Sequence, residues 1–396
     1  MMTETDQAPA TAARQYAAAR QIATVLQDDT PLQRGLANKA MTAAFGSTSA
    51  DGAWTQRDSF VAIEVASILA LRTLKLKQTP KAIVDQLEVF EKRLPTQTVR
   101  SEEQVAAQHF STPLGLAWFV SHLAAIGADD VVLEPSAGVG MLAAWAGQGK
   151  ALHLNELDPV RASLLRHLFP KNSVTTFNAA QINQHISVRP TVILMNPPFA
   201  RNAAGTEDPF AAHRHFVAAL AALAPGGRIV GIMPDSFSPQ GKHGSLFDRA
   251  ISGAQVRLML RLDKGFAGKG TSVAVRIIVA DKSAARSQTP TTINRASITS
   301  LLESLREVPA RIPGQPDPTP PRPRPSGSSP LFSAFRTPAA KIGPRPAAPL
   351  PTFEIATVDY QIREGISAAA DEAQIYVPWQ SQRLIINAAG DHPSPL

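Results

Sequence analysis

The sequence predicts an open, mostly parallel α/β sheet flanked by helices, and three observations carry that prediction. Short apolar, β-forming runs alternate with segments of helical periodicity from residue 131 to residue 280. One run leads into a glycine turn, Val131-Val-Leu-Glu-Pro-Ser-Ala-Gly-Val-Gly140. Another ends in Asn-Pro-Pro-Phe, within Ile193-Leu-Met-Asn-Pro-Pro-Phe199. In a parallel sheet, ligands bind outside the carboxyl ends of the strands, so both turns are expected to face one crevice.

The elements follow in order. Residues 1–30 are alanine-rich, with one helical run from Ala12 to Leu26, and read as either a loosely docked helix or a disordered arm. From Leu32 to Leu94 apolar residues recur at helical spacing, with Gly46 to Trp54 as a loop, which predicts a helical subdomain over 31–105. Phe110 to Val120 opens a further helix, with Ser111 or Thr112 as cap and Pro113 at its first position. The sheet domain spans 106–282. Its expected strands are Val131–Leu133, Ala151–Leu154, Val174–Phe177, Val192–Met195 and Arg228–Met233. Helices are expected at Met141–Ala146, Pro159–Leu168 and Pro209–Leu223, and a terminal antiparallel pair at Val256–Leu262 and Val273–Ala280. Residues 283–352, with their run Pro316-Asp-Pro-Thr-Pro-Pro-Arg-Pro-Arg-Pro325, read as a disordered Pro-rich linker containing one short helical piece, Ile298–Leu305. Residues 353–396 regain aromatic and apolar side chains as a separate tail.

Composition narrows the function classes. The 396 residues, 44% apolar, are enough for a full-sized core. Without cysteine, disulfides, thiolate metal sites and cysteine nucleophiles are excluded. His213 and His215 sit at an exposed-looking helix start and make a poor metal site without a third ligand, so no metal is expected. The formal charge of +7 is a mild bias towards a polyanionic partner. No apolar run reaches membrane-spanning length, and the start lacks the order of a secretory signal, so a cytoplasmic protein without a membrane partner is expected.

The turns then define a ligand. Gly138 and Gly140 let the backbone bend sharply and approach a bound molecule closely. The third glycine of a dinucleotide fingerprint is missing, and no Lys-Ser/Thr follows as in a phosphate loop. Glu134 suits a cationic group better than a phosphate. In Leu154-Asn-Glu-Leu-Asp158, Glu156 stands where a strand-tip carboxylate accepts from the hydroxyls of a ribose, while Asp158 ahead of Pro159 reads as a helix cap. A nucleoside with a cationic tail and no phosphate fits this set, as S-adenosylmethionine does. In Asn196-Pro197-Pro198-Phe199 the Asn side-chain oxygen and the Pro197 carbonyl can accept from an exocyclic amino group, and Phe199 can stack on a flat ring.

On these motifs the chain resembles the class I S-adenosylmethionine-dependent methyltransferases of the DNA N6-adenine type, over about Phe110 to Asp281. The resemblance implies a Rossmann-like sheet, S-adenosylmethionine as cofactor and DNA as partner. It further implies that Thr112 and Glu134 hold the methionine end, that Pro135, Ala137, Gly138 and Gly140 line the cofactor, and that Glu156 binds the ribose. Asn178 replaces the usual aspartate beside the adenine. Asn196, Pro197, Pro198 and Phe199 act on the target, with Phe266 as a second stacking residue and Lys264 and Lys269 near the substrate. Arg257, Arg261 and Arg276 cluster around the same hairpin, as either a solvated face or phosphate contacts.

The segment Ala44 to Trp54 and the tail Tyr376 to Leu396 are similar to plasmid- or phage-type proteins that join a methylase to a strawberry-notch-like helicase. That implies a helicase-like half as partner. Two alternatives to DNA methylation stay open from the residues: an amino methyltransferase acting on RNA or protein glutamine, and a non-catalytic nucleic-acid-binding module.

Overall fold

A computed structural model describes residues 4–96, 111–199, 208–240, 243–263, 265–266, 273–283, 290, 292–307 and 310–311. Four helices come first: α1 (Glu4–Gln27), α2 (Arg34–Phe45), α3 (Gln56–Leu71) and α4 (Pro80–Lys92). After α5 (Leu114–Leu123) come β1 (Val131–Glu134), β2 (Ala151–Asn155), α6 (Pro159–Leu168) and β3 (Ser173–Thr175). Then follow α7 (Ile182–His185), β4 (Val192–Met195), α8 (Ala211–Ala222), β5 (Arg228–Pro234) and α9 (Gly244–Ala250). The described chain closes with β6 (Ala254–Leu262), β7 (Val275–Lys282), β8 (Ile293–Arg295) and α10 (Ile298–Leu301).

The strand order is β3-β2-β1-β4-β5-β7-β6-β8. Strands β1 to β5 are parallel throughout, β7 runs antiparallel to both β5 and β6, and β8 is parallel to β6. This is a Rossmann-like, mostly parallel sheet, and its order reverses between β1 and β4.

The period of two along each strand explains the layers. Val132, Leu154, Val192, Leu194, Val230, Ile232 and Ile277 join a core with α1 to α6. Their neighbours Leu133, Ile193, Met195, Ile229, Met233 and Ile278 join a second core with α7 to α9. The N-terminal helices, expected as a subdomain leading into the sheet, therefore share one of its cores. Across β5 and β7 the register partners Arg228 and Asp281 form a buried two-pronged ion pair at 2.7 and 3.0 Å.

Three expectations need correction. Helix α1 is neither loose nor disordered: Ala8, Ala12, Ala18, Ala19, Ile22, Ala23 and Leu26 are buried, and Gln15 donates to Asp58 at 2.8 Å. Its alanines, which look featureless in sequence, let it lie close against α3 and α6. Met141–Ala146 is not an α-helix but a single 3-10 turn, Ala143–Trp145, because the backbone must turn back to β2 within a few residues through Gly147 and Gly149. The linker does not begin at 283. Residues 292–307 add β8 to the sheet edge, Leu301 and Ser304 are buried, and Arg311 grips Asp130 ahead of β1. The rest of the Pro-rich stretch, from residue 312, and the tail over 353–396 lie outside the described residues. No described helix is long and apolar enough to cross a membrane.

Candidate active site at the carboxyl edge of the sheet

Because β1, β2, β4 and β5 are parallel, Glu134, Asn155, Met195 and Pro234 end at the same edge. The glycine turn leaves β1 there. Gly138 has φ +57° and Gly140 φ +90°, backbone that a side chain rarely adopts. They differ in why they are glycine. A Cβ on Gly140 would meet the Phe169 ring at 2.5 Å, so packing requires it, whereas the space above Gly138 is open for 4 Å. The open side of Gly138 is where a ligand can touch backbone.

Two buried carboxylates flank this turn. Glu134 accepts the Ala143 N–H at 2.9 Å. Burial pushes its carboxyl well above the usual range, the Ala143 bond opposes this, and the Glu156 charge adds to it. Glu156 accepts from the N–H groups of Gly138 at 2.8 Å and Asp158 at 2.9 Å, and burial raises its carboxyl too. Asp158 caps α6 through the Arg161 N–H at 3.0 Å, as expected. Asn178 turns its oxygen to the Ala180 N–H at 3.0 Å, which leaves its amide NH2 to donate towards a ligand.

The sequence reading passed over Asn155, which organises these tips. Its amide donates to the carbonyls of Pro135 and Phe177 at 2.9 and 2.8 Å, and its oxygen accepts from Thr175 and the Phe177 N–H, both at 2.8 Å. One buried side chain thus ties β1, β2 and β3 together directly before Glu156. The available signal was a polar residue closing an apolar strand directly before Glu156.

Asn196 follows β4 and is half-buried, as are Pro198 and Phe199, while Pro197 is buried. Thr112 does not cap α5, whose N-cap position is Pro113. Instead its hydroxyl oxygen accepts from the Asn196 side-chain amide at 3.0 Å, which leaves the Asn196 oxygen for another donor. Phe266 is fully buried and meets Phe199 edge to face with ring centres 6.3 Å apart. It supports Phe199 from behind and offers no open face of its own. Lys264 and Lys269 lie outside the described residues.

Arg261 and Arg276, near this edge, both pair with Asp235, at 2.9 and 3.1 Å, whereas Arg257, 3.6 Å from Asp281, lies at the opposite edge, where β5 begins. His213 and His215 are buried, against the expectation of an exposed helix start: Phe237 from the loop after β5 packs on His213, and His215 faces the glycine turn. The His215 ring lies 3.4 Å from the Ser136 hydroxyl of the glycine turn. Burial drives both imidazoles down to about 4, with His243 and Arg214 respectively adding to the effect. No cluster of three metal-binding side chains occurs among the described residues.

No family model and no curated protein matches this sequence. Solved structures do resemble it. One, described as a class I S-adenosylmethionine-dependent methyltransferase from Listeria monocytogenes, is 13% identical with a TM-score of 0.44, covering 75% of this chain and 96% of that one. Another, described as a modification subunit of a type I restriction enzyme from Vibrio vulnificus, is 15% identical with a TM-score of 0.41, over 63% of this chain and 65% of that one. A third, described as an RNA methyltransferase from Pyrococcus horikoshii, is 19% identical with a TM-score of 0.37, over 50% of this chain and 98% of that one. The match thus spans just under two thirds of the length of the restriction-enzyme subunit.

Proposed function

We propose that this protein transfers a methyl group from S-adenosylmethionine to the exocyclic N6 amino group of adenine in DNA. One juxtaposition carries the reading: Asn196-Pro-Pro-Phe199 at the end of β4 stands beside the Glu134–Gly140 turn at the end of β1, across the point where strand order reverses.

The residues present fit the cofactor. The open backbone at Gly138 allows close approach, Glu156 provides a carboxylate for ribose hydroxyls, and Glu134 provides one for an ammonium group. Bound there, S-adenosylmethionine would supply an electrophilic methyl group. The chain's own part concerns the acceptor. The Asn196 oxygen and the Pro197 carbonyl accept from the amino hydrogens, which draws the nitrogen lone pair out of the ring and towards the methyl group. Phe199, braced by Phe266, stacks on the ring and holds it flat. Nitrogen becomes acidic only after it gains the methyl group, so its surplus proton leaves last and no charged base is needed beforehand. A base in a duplex must be turned out of the stack to reach this position.

DNA is the favoured target on the resemblance of the motif order to DNA N6-adenine methyltransferases, and Phe199, where protein-glutamine enzymes of similar pattern usually carry tyrosine, weighs mildly against a protein target. The resemblance of the tail to the lead-in of a helicase makes a helicase-like half a proposed partner. Labelled S-adenosylmethionine offered in parallel to DNA, RNA and cell-extract protein, with mass spectrometry of the digested products, tests the proposal. N6-methyladenine in DNA is expected, with Asn196→Ala lowering kcat on the order of 10²–10³-fold and leaving cofactor affinity unchanged. Label confined to RNA or protein would replace the target.

A further inference from the structure

We propose that Thr112 is a positioning residue for methyl transfer: its hydroxyl, anchored to α3 through Ser111 and Glu64, holds the Asn196 amide in place. The proposal rests on the reading of Asn196 as the group that binds the target amine, and it gives Thr112 a different task from holding the cofactor.

The observations form a short chain of contacts. The Ser111 hydroxyl donates to the Glu64 carboxylate on α3. Thr112, buried at 6% exposure, accepts from Asn196 Nδ2 at 3.0 Å. Between these contacts the backbone has little freedom. Pro113 holds φ −56° and ψ 143°, and a residue that precedes proline is kept extended. Downstream, the Pro113 carbonyl starts α5 by accepting the Ala117 N–H at 2.8 Å, and Leu114 and Leu116 are fully buried. The hydroxyl of Thr112 is thus fixed from both sides, by a tether to α3 on one and by a core helix on the other.

The chemistry supplies the reason for such an arrangement. An amide presents an oxygen on one side and an NH2 on the other, and a half-turn about the last side-chain bond exchanges them. Only the orientation with oxygen towards the crevice accepts from a target amine; the reverse presents a donor to a donor. The Thr112 hydroxyl, which can accept from the amide or donate to it, holds the Asn196 amide in place and in its plane before the target arrives, and with Nδ2 turned to Thr112 the oxygen is left for the target amine. The N-terminal helical layer then belongs to the catalytic apparatus, since it holds the segment that holds Asn196.

Two variants separate this role from a cofactor contact. Thr112→Val keeps the shape and removes the acceptor, while Thr112→Ser keeps the acceptor. The first measurement needs no activity: in protein labelled with ¹⁵N at asparagine, the side-chain NH2 resonance of Asn196, assigned by its loss in Asn196→Ala, is compared across the variants. It is expected to move in Thr112→Val and to stay in Thr112→Ser. The second is single-turnover methyl transfer beside S-adenosylhomocysteine affinity. Thr112→Val is expected to slow transfer on the order of 10- to 100-fold with Kd within about twofold of the parent, and Thr112→Ser to recover most of the rate. Glu64→Ala should give the same pattern to a smaller extent. An unmoved Asn196 resonance in Thr112→Val, or a loss of cofactor affinity that matches the loss of rate, would overturn the proposal. Absence of cofactor binding and transfer in the parent protein would instead defeat the reading under Proposed function, and the resonance would still judge the Thr112–Asn196 bond.

Discussion

His213 and His215 show how far a side chain's setting departs from what its neighbours in sequence suggest. Polar residues at a helix start look solvated, yet both rings are enclosed, His213 beside Phe210 and Phe237 and His215 beside Ser136. Their folded values near 4 lie below the ordinary 6.5, so the unfolded chain binds more protons between those limits. Stability from these groups is therefore complete above about pH 6.5 and is lost as pH falls towards 4, by roughly 3 kcal/mol for each ring. Thermal or urea unfolding across pH 4–7 should show this slope, and His213→Phe should flatten it; an unchanged slope would remove His213 from the account. The partners of Thr112 and Asn155 were equally hidden, since they lie on other elements: Asn196 after β4 for one, and Pro135, Thr175 and Phe177 at neighbouring strand ends for the other. Asp158 was legible as a cap because that contact is local, with the N–H of Arg161 three residues on.

At the scale of elements, strands and bounded helices were read closely. Val192–Met195 and Pro159–Leu168 fall where expected, since an apolar run between turn residues and an Asp-Pro start are strong local signals. The reading failed where packing decides. The 3-10 turn after Gly140 is set by the short return to β2, and β8 exists only because the edge of β6 is there to receive it. Helix α1 gives the clearest test. Ala19 is buried where α1 meets its neighbours, whereas Arg20 is exposed. Ala19→Leu should cost about 1–3 kcal/mol through overpacking, and Arg20→Leu less than about 0.5 kcal/mol. Chemical denaturation measures both, and equal small effects would mean that α1 is loosely held after all.

For the described molecule as a whole, the sheet edge away from the glycine turn carries its own fastening. Asp130, just ahead of β1, accepts from Arg311 at 2.7 Å, from the Gly127 N–H at 2.7 Å and from Thr191 at 2.7 Å. Burial pushes this carboxyl up, but Arg311, Gly127 and Thr191 together outweigh burial and hold it below its ordinary value. Its contribution is thus present above that ordinary value and fades as pH falls below about 4. Arg311→Ala should lower unfolding free energy by about 1–3 kcal/mol at pH 7, with the difference from the parent shrinking in acid. No sequence signal links residues 130 and 311, so only the folded chain reveals how the segment after β7 is secured.

The central claim is that the crevice between β1 and β4 takes a nucleoside bearing a cation, and titration calorimetry with S-adenosylhomocysteine tests it most directly. Binding is expected, unaffected by Asn196→Ala and at least about tenfold weaker in Glu156→Ala. Where the pH is low enough for the raised Glu134 carboxyl to hold a proton, the heat should depend on the buffer, because a ligand ammonium drives that proton off. No binding of S-adenosylhomocysteine, or tight binding of ATP or NAD in its place, would contradict the account.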